Sequence, residues 1–393
     1  MKRLTAFVAA ILLLAACSGH NAPVVGPSAG PLSLSWQEVK LPAPPGPAGR
    51  LAVRDAQACD GKWYVVGAVL GAVEDPATVA SRPAAWTSDD GRTWRAMTLQ
   101  ASSFYGKLQT LYTAACKDGK VAAIGAKSGG AHGNPRISTF YQQGDNLIEV
   151  TNAAFTLYGG SEAVNVGRLS AGPKGFIIAG NRVTGAAAWL SADATVFRIV
   201  ENSPGLASDP SLDTQAQDGY VGDSGYVVVG GGLPKGQIDH DPFAWTSPDG
   251  DHWTRVTVPR DSQYEDLQRV DRAGGKYVAV GPHGDTFGAW SSATGAQWQV
   301  GGRFGSDLSP LADVRSMTVA GNSVLVSGQD GAKYGLYTSA DGGQTWRPVS
   351  MPPGAHPSGS EKGFAVAAGP GELIAAGDDG TTGRIWIAHY NAK

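Results

Sequence analysis

"LSLSWQEVKLP", residues 32–42, has the shape of a strand that ends a structural unit. The same shape returns as "RTWRAMTLQ" (92–100), "DHWTRVTVP" (251–259) and "QTWRPVSMP" (344–352). In those three places a strand and a tight turn come first. Ahead of residue 32 there is only a Pro/Gly-rich stretch. The stretch therefore reads as the last strand of a repeat whose earlier strands lie elsewhere in the chain. Where they lie decides the fold.

The repeat is found from its most apolar element, a β-branched run closing on Gly. It occurs as "KWYVVG" (62–67), "KVAAIG" (120–125), "GFIIAG" (175–180), "GYVVVG" (225–230), "KYVAVG" (276–281), "SVLVSG" (323–328) and "ELIAAG" (372–377). The closing glycines are 58, 55, 50, 51, 47 and 49 residues apart. A period near fifty fits a four-stranded propeller blade. A strand–turn–strand unit follows most runs: "AAWTSDDGRTW" (84–94), "AAWLSADATVF" (187–197), "FAWTSPDGDHW" (243–253), "GAWSSATGAQW" (288–298) and "GLYTSADGGQTW" (335–346). The second repeat carries only a worn copy, "STFYQQGDNLIEV" (138–150). Asp in such a turn bonds back to backbone N–H groups, and Gly accepts the left-handed conformation.

These turns resemble the Asp-box, the Ser-x-Asp-x-Gly-x-Thr-Trp motif of sialidases and related propellers. Ser339, Asp341, Gly343, Thr345 and Trp346 match every position. The shorter copies place Asp89, Gly91 and Trp94, and Asp249, Gly250 and Trp253, in the corresponding roles. The copies at 191–197 and 292–298 have lost the Gly or the Asp. The resemblance implies propeller architecture and says little of chemistry, because the box is a structural turn away from the active site.

Adding an inner strand before each run, such as "LAVRDAQAC" (51–59), "TLYTAACK" (110–117) and "VRSMTVAG" (314–321), gives four strands per blade. The seventh repeat then runs out after "RIWIAHY" (384–390), one strand short. The expectation is an all-β, seven-bladed β-propeller over residues 32–393, its last blade completed by residues 33–41. Six or eight blades are the alternatives, because the second repeat is degenerate. Closing the ring in this way leaves no unpaired edge.

The residues ahead of the ring read as an export signal. "MKR" supplies positive charge, "LTAFVAAILLLAA" an apolar run too short to span a membrane, and "LAAC" ends in Cys17. The arrangement resembles a bacterial lipoprotein box, which implies cleavage after residue 16 and lipid on Cys17. Residues 17–31, rich in Pro, Gly and Ser, read as a tether. The expected location is the outer, extracytoplasmic side of the cell membrane, held by the lipid.

Removing residues 1–16 leaves 29 basic against 34 acidic side chains, which speaks against nucleic acid as a partner. Cys59 and Cys116 then remain as an even pair in an oxidising compartment, at equivalent places in consecutive repeats, and are a disulfide candidate. Arg54, Arg168, Arg269 and Arg315 recur on the inner strands, which converge on the axis of a ring. They are candidate binding residues for an anionic ligand. The competing reading pairs them with their neighbours Asp55, Asp266, Asp271 and Asp313. Strand alternation, with Arg54 one residue out of register from Arg168, also separates some of them.

A sialidase would also show a Phe/Tyr-Arg-Ile-Pro stretch before its first box. "FRIV" (197–200) resembles it but stands after the third turn and lacks the Pro, so it reads as coincidence. Asp239, His240, Asp241, Asp249, Asp251 and His252 crowd together in sequence, but without a recurring ligand spacing they read as solvated loop residues. No metal, cofactor or catalytic residue is assigned. The expected function is a monomeric, non-catalytic binding or assembly scaffold for an envelope protein or glycan. Its site is expected on the longer connections, 68–83, 126–137, 203–214, 231–242 and 351–362. The alternative is a sialidase-like exo-glycoside hydrolase.

Overall fold

Each Gly-ended run becomes the second strand of its own antiparallel sheet, and seven such sheets form a ring. The computed structural model describes residues 30–71, 81–129, 134–331, 333–356 and 363–391. Cys17, the expected signal and the expected tether as far as residue 29 lie outside the described residues. The inner strands are Arg50–Cys59, Thr110–Lys117, Ala163–Gly172, Leu212–Gly222, Arg269–Ala273, Asp313–Ala320 and Gly363–Gly369. Each contacts the next, and the last returns to the first. Among the described residues helix is confined to Phe155–Tyr158 and a short 3-10 turn at Gly106–Leu108.

Residues 37–39 do complete the seventh blade. Gln37, Glu38 and Val39 pair antiparallel with Ile387, Trp386 and Ile385. The clasp reaches further than the sequence suggests. Leu32 bridges Val349 at the outer edge of blade 6, and the Trp36 indole donates to the Ser350 carbonyl at 2.8 Å. Beyond the strand, the Pro42 carbonyl accepts from the Trp86 indole at 2.8 Å, in blade 1. One N-terminal segment thus straps three blades. A similar overlap marks the worn second repeat: Thr98–Gln100, leaving blade 1, pairs parallel with Asn146–Glu149 as a fifth strand of blade 2.

The core consists of the interfaces between blades. Val65 packs toward blade 7, against Ile374, Ile385 and Ile387. Its chain neighbours Tyr64 and Val66 pack toward blade 2, against Leu111 and Phe140. A strand sandwiched on both faces is apolar at successive positions, which is why these runs do not alternate with polar residues. Cys59 and Cys116 join the inner strands of blades 1 and 2 in a disulfide, with Cα atoms 5.6 Å apart.

The closing glycine of the run has a steric cause. A Cβ on Gly67 would lie 1.9 Å from the Ala52 carbonyl oxygen, and one on Gly230 1.9 Å from that of Gln215. The close approach comes from a β-bulge in the inner strand. Register slips between Val53 and Asp55, opposite Gly67, and between Ala216 and Asp218, opposite Gly230. Blades 2, 3 and 6 slip at the same place. Only Gly lets two inner-strand residues crowd one partner there.

Two measurements test this account. Removing residues 32–41 would bare the Gly383–His389 edge; the expected result is a lower Tm together with self-association by size-exclusion chromatography. In the third blade Ala194 takes a left-handed φ of 65° where other copies use Gly. Ala194→Gly is therefore expected to stabilise by about 0.5–1 kcal/mol in denaturant titrations, and destabilisation would refute the strain.

Candidate functional site

Antiparallel order divides the loops between two faces. Connections from second to third strands, and from each blade to the next, emerge at one end. The first-to-second turns and the Asp-containing turns emerge at the other. Most of the connections expected to carry function lie on the first face, though several of their residues are strand. The blade 4 hairpin runs Leu212–Gly222 and Gly225–Pro234, absorbing 212–214 and 231–234. Residues 72–80, 130–133 and 357–362 of the expected connections lie outside the described residues.

Large exposed apolar side chains collect on this face. Phe104 is 73% exposed, Phe155 59%, Val183 64%, Ile238 92% and Leu311 87%. Arg136 stacks between two of the aromatics, 5.2 Å from the Tyr105 ring centre and 4.6 Å from that of Phe155. Among the described residues only Val196 of this class sits on a turn of the opposite face.

The axial arginines are held by their surroundings. Arg168 contacts Asp55 at 3.2 Å and donates to the Arg315 carbonyl at 3.3 Å. Arg269 donates to the same carbonyl at 3.0 and 3.2 Å. Arg315 reaches Gln329 and Asp313, each at 2.9 Å. Arg54 turns instead to Asp378 at 2.8 Å, a buried carboxylate that also takes Arg50 at 2.8 Å. Arg168 and Arg269 thus meet at the Arg315 carbonyl, the Arg315 side chain turns to its own blade, and Arg54 joins the seam with blade 7.

Of the expected partners, Asp55 and Asp313 pair with arginines. Asp266 instead accepts from Gln217 at 3.3 Å, and Asp271 accepts the Arg272 N–H at 2.7 Å. The bulge is what simple alternation missed. Arg54, Arg168 and Arg315 all fall at the register slips of their strands, whereas Arg269 stays in the ladder, so period-two alternation does not say which of them share a face.

In blades 1, 4 and 6 the ladder position next to the bulge links neighbouring blades. Asp55 accepts the Ala114 N–H at 3.0 Å, Asp218 the Val270 N–H at 3.3 Å, and Ser316 the Val366 N–H at 2.9 Å. Burial pushes the Asp218 carboxyl up, against the pull of Arg269 and Arg168. Burial, and then the nearby Arg168 charge, bring Arg269 down to about 10. Arg168 moves the other way, because Asp55 and Asp218 outweigh its desolvation.

The turns of the opposite face show which carboxylate does the work. Asp341 accepts from Ser339, Gln344 and Thr345, and the Trp346 indole donates to the Gly343 carbonyl at 3.0 Å. Asp249 accepts the Asp251 and His252 N–H groups, and Trp253 donates to Gly250. In the first copy the turn carboxylate is Asp90, not the expected Asp89. Asp90 accepts from Arg92 at 2.8 Å and from Thr93 at 2.6 Å, while Trp94 donates to Gly91. Asp89, one residue earlier, points outward and pairs loosely with Lys62 and Arg95. These bonds hold the turn carboxylates below their ordinary range, Asp90 at about 2.

The sequence cluster around residues 239–252 is pulled apart, since strand Asp241–Ser247 carries its two halves to opposite faces. Asp241 is buried and pairs with Arg260 at 2.8 Å. His252 is exposed and contacts Asp249 at 2.8 Å.

No protein-family model matches the sequence, and none of the curated proteins matches it. Solved structures do. The β-propeller domain of the Trilobed protease from Pyrococcus furiosus, which has an open velcro topology, aligns with a TM-score of 0.52 at 10% identity. That alignment covers 88% of this chain and 96% of that one. An α-L-arabinanase from Penicillium chrysogenum gives 0.48 at 11% identity, over 71% of this chain and 93% of the other. Trypanosoma rangeli sialidase gives 0.43 at 12%, over 87% of this chain but only 55% of its own length. The likeness is one of fold.

Burial pushes the carboxyls of Asp266 and Asp271 up to about 7. The folded protein then holds protons that the unfolded chain releases near pH 4, so stability falls as pH rises from about 4 to 7. The slope reaches about 1.4 kcal/mol per pH unit for each group. Denaturant titrations are expected to give higher stability at pH 5 than at pH 8, and a smaller difference in Asp266→Asn. An unchanged difference in that variant would show Asp266 ionised throughout.

Proposed function

We propose that the chain is a lipid-anchored, extracytoplasmic protein whose propeller is a non-catalytic binding or assembly scaffold for an envelope protein or glycan. Anchoring rests on the "MKR", apolar run and "LAAC" series of residues 1–17. The Asp-box reading of the turns supports the scaffold, since such turns brace blades. The observation that carries the binding reading is the one-sided distribution of exposed apolar side chains, with Phe104, Phe155, Ile238 and Leu311 on the face of the connections. Aromatic residues beside an Arg are the composition of protein-binding centres.

The hydrolase alternative calls for axial arginines open to a carboxylate and for an activated Tyr. Arg168, Arg269 and Arg315 are already engaged, and burial pushes the Tyr112 and Tyr334 phenols up, away from nucleophilic character.

Photo-crosslinking residues placed at Phe104, Ile238 and Leu311 are expected to capture an envelope protein or glycan at the membrane. The same residues placed at Arg92 or Gln344 are expected to capture none. A panel of fluorogenic glycosides is expected to stay unhydrolysed. Sialoside hydrolysis lost in Arg168→Ala would replace this reading with the hydrolase, and equal capture from both faces would remove the assignment of the face.

A further inference from the structure

Where the connection from blade 4 meets blade 5, three ligand-bearing side chains converge that have no common spacing in the sequence. His283 ends the strand Lys276–His283, and Glu265 faces it across an isolated β-bridge. Asp261 stands four residues earlier on the same connection. His283 is 2% exposed and Glu265 1%, and the imidazole lies stacked on Trp290 with ring centres 5.5 Å apart. The ring is therefore fixed, with Nε2 directed at the two carboxylates.

That nitrogen is over-subscribed. Asp261 Oδ2 and Glu265 Oε1 each lie 2.8 Å from His283 Nε2, and Arg303 Nη2 lies 2.6 Å from it. Nε2 carries at most one hydrogen, so it cannot satisfy all three. Glu265 shows the shortfall. Its Oε2 accepts the Asp261 N–H at 3.1 Å, but its buried Oε1, although 2.8 Å from the contested Nε2, has no hydrogen bond of its own. An unpartnered buried carboxylate oxygen is costly.

One imidazole nitrogen and two carboxylate oxygens, each within 4.8 Å of the others, make a donor set. Tetrahedral zinc with bonds near 2.0 Å spaces its donors by about 3.3 Å, so the two 2.8 Å distances from Nε2 need to open by only a few tenths of an ångström. Asp261 and Arg303 are each 41% exposed, so the side open to solvent can rearrange. We propose that Asp261, Glu265 and His283 bind a divalent transition-metal ion of the Zn²⁺ type, the Arg303 guanidinium serving as the cation that fills the place when no metal is bound. An imidazole ligand and only three protein donors favour such an ion over Ca²⁺ or Mg²⁺. The connection that carries Asp261 and Glu265 emerges on the face rich in exposed apolar groups, where a partner's donor could complete the coordination.

The test is calorimetric titration of Zn²⁺ into the chelator-stripped full chain. One equivalent is expected to bind and to raise Tm. Glu265→Gln and Asp261→Asn are each expected to weaken binding about tenfold or more, and Arg303→Ala to tighten it. Asp261 is half exposed, so its variant keeps the fold if Glu265→Gln does not. His252→Ala, at the exposed His–Asp contact of the opposite face, is expected to leave binding unchanged. No binding at millimolar Zn²⁺, binding unmoved by Asp261→Asn, or binding lost in His252→Ala would each overturn the site.

Discussion

A ring of sheets needs every neighbouring pair to be in contact, and the contact at the seam is made by the two ends of the chain. Three backbone pairs, Gln37–Ile387, Glu38–Trp386 and Val39–Ile385, complete the seventh sheet. They matter beyond their number because Ile385 and Ile387 pack toward blade 1 while Trp386 packs toward blade 6. Each such side chain is worth about 1.5–3 kcal/mol when buried. Loosening one sheet at the seam would open two apolar interfaces together. The buried Asp378 adds an ionic lock across the same seam by taking both Arg50 and Arg54.

The second constraint is the bulge. It demands Gly on the facing strand, and it sets a polar ladder residue toward the next blade. Asp55, Asp218 and Ser316 then bond backbone N–H groups of their neighbours. The charges near the axis are thus partly structural. Asp55, between the Ala114 N–H and the Arg168 guanidinium, serves the joint between blades and the axial cluster at once.

The features legible in the sequence were those fixed by local chemistry or by the period. The Gly-ended runs located the blades, the missing outer strand located the clasp, and the matched positions of Cys59 and Cys116 located the disulfide. Illegible features depended on partners that only the closed ring brings near. Nothing in the sequence around Arg54 points to Asp378, and nothing around His283 points to Asp261. The first Asp-containing turn misled for a smaller reason: "SDDG" offers two carboxylates, and hydrogen-bond geometry chooses Asp90. The bulge hid because a period-two pattern assumes a strand without an extra residue.

The strap made by residues 32–42 also bears on how the molecule comes to be folded. Its first strand is synthesised before any blade exists, yet its partner at Gly383–His389 is made only after the six other blades. Contacts so remote in sequence are slow to form. Until they do, an apolar edge stands open at each end of the nascent ring, inviting wrong pairing. Completion has to await the seventh blade, so a chain cut short before Gly383 would leave its opening strand without a partner as well.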